Sequence, residues 1–255
     1  MPALGPVLWP AEAIWEQVYP LLPQFTVEVL PDIDSTNSEL MRRARAGQHE
    51  ATLLVAERQS AGRGRMGRVW QSTPGDSLTF SISLPLSPRD WSGLSLAIGL
   101  SLAESLDPGI RLKWPNDLWL DDRKLGGILV EAASTSGRSQ VVVGVGLNIR
   151  AQADHGMSTP PAALNELMPD LSAGDCLARV ALPLIQTVLA FETAGFTPLQ
   201  SRFEARDALK GRQVHTSHGL QGQALGVSAV GALRLQTAQG VQDIFSAEIS
   251  VRPFT

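Results

Sequence analysis

Apolar positions along the chain switch between two periods, and the switches divide it into elements. Leu78, Phe80, Ile82, Leu84 and Leu86 alternate with Thr79, Ser81 and Ser83, the period of two expected of a half-buried antiparallel strand. Phe25–Leu30 alternates more briefly, and Thr52–Glu57 is an apolar run of buried-strand length. Leu94, Ala97, Ile98, Ser101, Leu102 and Ser105 fall instead on one helical stripe, which predicts a helix over Trp91–Leu106 packed on the sheet. Ile110–Lys113 and Leu118–Leu120 read as short strands around the turn Trp114-Pro115-Asn116-Asp117, and Asp121-Asp122-Arg123 turns the chain into the apolar run Lys124–Glu131. Lys113 and Lys124 are therefore expected on neighbouring strands of one hairpin, facing one region. After a polar loop at 134–140, Gln140–Val145 is the most β-branched strand of the chain.

Helix signals fill the gaps. Thr36 and Glu39 have capping-box spacing after Asp34-Ser35, and Gly47 marks the stop. Leu177, Val180, Ala181, Leu184, Ile185, Val188 and Leu189 form a stripe after an Asp175 cap, with Pro183 expected to kink it at a cost of about 3 kcal/mol. Thr197-Pro198 is expected to cap a last helix through about Ala208. Beyond Gly211, short alternating runs broken by glycines predict a five-strand β unit, whereas 151–173, rich in Pro, Ala and Ser, reads as a surface excursion. The expected organisation is a short extension at 1–25 with one helix near Ala11–Val18, a mixed α+β domain at 26–208 and a small β domain at 209–255.

Composition narrows the partners. With 255 residues and a net charge of −4, the chain has no global attraction for nucleic acid or an anionic membrane, so the arginines of Gly62-Arg63-Gly64-Arg65-Met66-Gly67-Arg68-Val69-Trp70 are a local cluster on an acidic protein. Cys176 is the single cysteine, which excludes an internal disulfide, fits a reducing cytoplasm and makes a poor nucleophile in its apolar segment. No apolar run is expected to reach membrane-spanning length, and the first residues do not resemble a signal peptide. The Gly/Arg loop itself suits an anion, because glycine permits close backbone approach and each guanidinium is a planar fork of donors. Ser35, Thr36 and Asn37 open a helix whose first amides are free to point at a ligand, and Asn148 is expected to end a strand beside one.

Taken together, Gly62–Trp70, Lys113–Asp117, Arg123–Glu131 and Gly144-Val145-Gly146-Leu147-Asn148-Ile149 resemble, in order and spacing, the signature of the biotin–protein ligases. The resemblance implies a class II synthetase-like mixed sheet with packed helices, followed by a small SH3-like barrel. It also implies an ATP-dependent ligase that activates biotin as biotinyl-5′-AMP and transfers it to a lysine of a biotin carboxyl carrier protein of acetyl-CoA carboxylase or a related carboxylase. Ser35, Thr36, Asn37, Gln59 and Gly127 match biotin-binding positions; Arg63, Gly64 and Arg65 match the loop over the biotin carboxyl and activated phosphate, and Lys124 matches the lysine that contacts that carboxyl. Arg68, Trp70, Lys113, Asn116, Asp117 and Asn148 resemble the nucleotide side, with Asp117 also matching a residue for Mg2+ or proton handling. Glu248 and Arg252 match residues of the small domain that close over ATP. Arg65, Lys113, Lys124 and Asp117 are thus the expected catalytic set.

Met66 departs from the family pattern, since several relatives carry arginine there. The stretch before the catalytic domain is too short for the winged helix of the repressor class, so the single-function class without nucleic-acid or membrane binding is expected; a homodimer stays open. Two rivals remain: a lipoate–protein ligase-like transferase and a non-catalytic biotin-binding regulator.

Overall fold

The computed structural model describes residues 7–135, 137–151, 159–245 and 251–253, and its frame is two β-sheets. The larger is built from β1 (Thr26–Ile33), β2 (Thr52–Gln59), β3 (Ser77–Pro85), β4 (Arg111–Lys113), β5 (Asp117–Leu120), β6 (Arg123–Thr135) and β7 (Arg138–Asn148). Its order is β1-β2-β3-β7-β6-β5-β4, parallel between β1 and β2 and antiparallel elsewhere. Helices α1 (Ala11–Val18), α3 (Leu94–Leu106) and α4 (Ala173–Ala194) pack with the apolar face of the sheet, and Leu78, Phe80, Val143 and Leu147 belong to that core. The opposite face carries α2 (Thr36–Arg45), whose Leu40 and Met41 join Leu54 and Val142 in a second, small cluster.

This second cover corrects the expectation of a half-buried β3. Thr79, Ser81 and Ser83 lie on the α2 side yet are nearly as buried as the apolar residues between them. Alternation therefore separated two buried faces, one apolar and one polar, because a helix and a loop roof the polar side.

Lys113 and Lys124 also sit differently from the expected hairpin. They are on β4 and β6, the two neighbours of β5, and Lys113 pairs in register with Asp117. The expected loop at 134–140 is the tip of the long β6–β7 hairpin, which stays paired to Thr135 and Arg138.

The helix caps differ from the expected ones. Ser35, not Thr36, caps α2 by accepting from Ser38 N, which frees Glu39 to bind Arg42 and Arg43. Ser172 caps α4 in a box with Asp175, whose carboxylate accepts from Ser172 Oγ at 2.6 Å. α4 runs unbroken through Pro183, because the buried stripe from Leu177 to Val188 is worth about 1.5–3 kcal/mol per large side chain and outweighs one lost hydrogen bond. By length and hydropathy α4 could cross a membrane, against expectation, but half of it is buried against the core. A short turn, Thr197–Leu199, precedes α5 (Gln200–Arg206), and Thr197 Oγ1 donates to Ala229 O instead of capping. In the expected excursion, residues 152–158 lie outside the described ones, whereas Ala162, Ala163 and Leu164 are buried.

The second sheet joins β8 (Gln213–Thr216), β9 (Gln221–Val227), β10 (Leu233–Thr237), β11 (Gly240–Ile244) and β12 (Val251–Pro253), antiparallel in the order β11-β10-β9-β8-β12, as a small SH3-like unit requires. Its connection from α5 runs along β4: Ala208 N donates to Leu112 O at 2.9 Å, which covers part of an otherwise bare sheet edge. Trp114 Nε1 donates to Gly231 O at 3.1 Å and holds the two sheets together.

Candidate active site

Between the polar face of β3, β6 and β7, the start of α2 and the Gly62–Trp70 loop lies a cavity of about 350 Å³. Ser35, Thr36, Asn37, Gln59, Arg63, Gly64, Arg65, Arg68, Trp70, Lys113, Asn116, Asp117, Lys124, Gly127, Asn148 and Arg252 all line it. Residues more than 200 positions apart in sequence are thus brought to one wall, with Arg252 arriving from the second sheet. Glu248 lies outside the described residues.

One end is a neutral hydrogen-bond lattice. Gln59 Oε1 accepts from Thr36 N at 2.7 Å and Thr36 Oγ1 at 3.1 Å; Thr36 Oγ1 meets Ser81 Oγ at 2.8 Å, and Ser81 Oγ donates to Asn37 Oδ1 at 2.9 Å. Glycines on β7 make room: a Cβ on Gly144 would overlap the Asn37 amide, and one on Gly146 would overlap the Trp70 indole. The Trp70 indole N–H is buried and has no hydrogen-bond partner among the described residues.

The other end is ionic. Lys124 Nζ is 2.7 Å from Asp117 Oδ1 and Lys113 Nζ is 3.5 Å from Asp117 Oδ2. Burial by itself would raise the Asp117 carboxyl, but the Lys124 and Lys113 ammoniums outweigh it and hold the group below the usual carboxylate range. Burial lowers Lys113 below an ordinary lysine, only partly offset by Asp117, and its ammonium rests 5.2 Å above the Trp119 ring. Arg65 reaches Asn116 Oδ1 at 3.5 Å and is also lowered by burial, an unusual setting for a guanidinium. Asn116 Nδ2 donates to Ile128 O at 2.8 Å, and Asn148 Nδ2 to Ala162 O at 2.9 Å and to Lys124 O at 3.3 Å, so both amides are bonded to backbone, Asn148 at Lys124 itself.

The loop is a small hairpin. Trp70 N donates to Gly62 O at 2.9 Å and Gly64 N to Arg68 O at 2.7 Å around a single helical turn at Arg65–Gly67. Of its glycines, Gly67 has a positive φ, and Met66 adopts the left-handed region too, at φ 56°. Gly62 is needed for another reason, because a Cβ there would meet the Trp70 carbonyl.

As a magnesium ligand Asp117 fits poorly, since each carboxylate oxygen faces an ammonium, and no group of three or more His, Cys, Asp or Glu among the described residues could hold a metal. Burial pushes the Cys176 thiol up to about 12, in keeping with an inert core residue. Sequence reasoning missed Ser81, on the polar half of an alternation read as solvent-facing, and Glu131, included in a motif without a role.

This mixed sheet, with a cationic loop and a lysine–aspartate–lysine cluster over its polar face, defines a ligase domain of known type: the chain belongs to the biotin/lipoate A/B protein ligase family, whose pattern it matches over residues 29–148. Within that family its similarity is to proteins named as biotin ligases. It is 36% identical over 239 residues to the bifunctional ligase/repressor BirA of Escherichia coli, covering 89% of this chain and 74% of that protein. It is 32% identical to the biotin–[acetyl-CoA-carboxylase] ligase of Paracoccus denitrificans, covering 87% of this chain and 98% of that one. The biotin protein ligase of Aquifex aeolicus, solved with biotin and ATP, superposes with a TM-score of 0.77 at 28% identity, covering 89% and 99% of the two chains.

Proposed function

We propose that this chain is an ATP-dependent biotin–protein ligase that forms biotinyl-5′-AMP and transfers the biotinyl group to a lysine of a biotin carboxyl carrier protein. The observation that carries the reading is the polarity of the cavity: a neutral lattice of Thr36, Asn37, Gln59 and Ser81 at one end and Arg65, Lys113, Asp117 and Lys124 at the other. A cyclic urea needs donors and acceptors without charge, and a carboxylate meeting a triphosphate needs cations. Lipoate carries no N–H group that would use the neutral end, which favours biotin over the rival.

In the first step a biotin carboxylate oxygen attacks the α-phosphorus of ATP, the bond to the bridging oxygen breaks, and pyrophosphate leaves. Lys124, oriented by Asp117, screens the two anions and stabilises charge on the α-phosphate; Lys113 and Arg65, both desolvated, act more strongly there than they would in water. In the second step the carrier amine attacks the anhydride carbonyl, AMP leaves and the amine loses a proton. Asp117, held ionised by two lysines, is a weak proton acceptor, so its part is to orient Lys124 and Lys113. Magnesium, where required, would be held chiefly by the triphosphate.

The deciding experiment is exchange of labelled pyrophosphate into ATP with biotin and with lipoate. Biotin-dependent exchange is expected; exchange with lipoate alone, or none with either, would overturn the reading.

A further inference from the structure

Glu131 closes the Lys124–Glu131 stretch and does not line the cavity, yet two residues that do line it end on its carboxylate. Asn37 Nδ2 donates to Glu131 Oε2 at 2.7 Å, and Arg63 Nη2 donates to the same oxygen at 2.8 Å. The adenylation and transfer steps leave this residue without a task.

An ionised carboxylate can only accept, whereas a carboxamide has one accepting and one donating end. Glu131 therefore compels Nδ2 of Asn37 to face it, which turns Oδ1 the other way, where it accepts from Ser81 Oγ at 2.9 Å. One acceptor position of Oδ1 remains for a donor inside the cavity. A urea N–H can fill it; a carbonyl or thioether cannot. The same carboxylate tethers Arg63, which is bridged through the backbone to Val69 across the arginine loop.

We propose that Glu131 is a positioning residue that couples the two ends of the cavity, fixing the sense of the Asn37 amide for an N–H donor and anchoring the arginine loop through Arg63. The proposal rests on the biotin reading above. Asn37 is 3% exposed, so its charge-assisted bond is worth about tenfold in affinity. The Arg63 side chain is 43% exposed, so its ion pair is worth about two- to fivefold.

Glu131→Gln keeps the shape but removes the charge and the obligate acceptor. Two measurements test it. Limited trypsin digestion of the protein alone, timed by mass spectrometry, should show cleavage after Arg63, Arg65 and Arg68 accelerated about two- to fivefold, with cleavage after Arg234 unchanged. In pyrophosphate exchange, the KM for biotin should rise about tenfold with the KM for ATP and the melting temperature unchanged. Arg63→Gln should reproduce the faster cleavage after Arg65 and Arg68 with a smaller change in biotin KM, and serves should Glu131→Gln fold poorly. Unchanged digestion and unchanged biotin KM would overturn the proposal, as would equal rises in both KM values with a lower melting temperature, the mark of a general structural role. Faster digestion with unchanged biotin KM would overturn the coupling. A wild-type protein without biotin-dependent exchange would sink the functional reading instead, and the digestion, which uses no substrate, would still decide whether Glu131 holds the loop.

Discussion

Asp117 has two lysine partners and Lys124 is the nearer, so removing Lys124 strips the site of a cation and loosens the carboxylate that orients Lys113. Lys124→Ala should slow single-turnover adenylate formation by roughly 10²–10³ while leaving ATP affinity much less affected, because the charge matters most as it moves. An equal loss of ATP affinity at an unchanged rate would show that Lys124 only binds. In the proposed reaction Arg65 acts on retention. Its guanidinium, at the turn of the loop hairpin, would cover a mixed anhydride that water hydrolyses and any free amine attacks. Arg65→Gly should still make biotinyl-AMP but release it, so that albumin mixed with biotin, ATP and the variant becomes biotinylated on surface lysines. Unlabelled albumin beside normally labelled carrier would show that retention does not depend on Arg65. At this scale sequence was informative for groups whose chemistry is local, such as Arg65 and Lys124. It was silent for Glu131, whose meaning depends on Asn37 and Arg63 arriving from other elements.

The link between α5 and β8 is pinned at Asp207, a nearly buried carboxyl whose Oδ1 accepts from Leu209 N at 2.8 Å and whose Oδ2 has no hydrogen-bond partner among the described residues. Burial pushes it up to about 6, despite the backbone amides of Leu209 and Lys210 that favour ionisation. A carboxyl raised on folding binds more protons in the native state than in the unfolded one between about pH 4 and pH 6, so its contribution to stability falls as pH rises through that window. Asp207→Asn, which mimics the protonated form, should match wild type near pH 4 and exceed it above pH 6, by at most about 3 kcal/mol. Denaturant melts at both pH values measure the difference, and a gap that shrinks with rising pH would refute the assignment. The edge contact made by this link joins residues nearly a hundred positions apart, and no local pattern announced it. Element types, by contrast, were legible from periodicity, and the cap of α2 slipped by a residue because adjacent Ser and Thr compete for the same role on equal local terms.

For the molecule as a whole, two sheets share one cavity, since Arg252 of β12 joins residues of the larger sheet on its wall. A ligand filling it should therefore stabilise both units as one. Biotin at about a hundred times its dissociation constant adds roughly 2.7 kcal/mol, which for a chain of 255 residues is a rise of about 5–10 °C in melting temperature. A scan with and without biotin checks this, and two separate transitions, only one of them shifted, would show that the small sheet does not share the site. The sequence by itself determined the mixed sheet, the terminal five-strand unit and the residues gathered at the cavity, because hydrophobic period and side-chain chemistry are properties of short stretches. Tertiary structure alone decided that the polar face of β3 is an interior wall, that Asp117 lies between two lysines instead of beside a hairpin pair, that α4 persists through Pro183, and that Glu131 joins Asn37 to Arg63. Each depends on which element lies opposite, and burial, desolvation and pairing acquire their energies only when distant segments exclude water from one another.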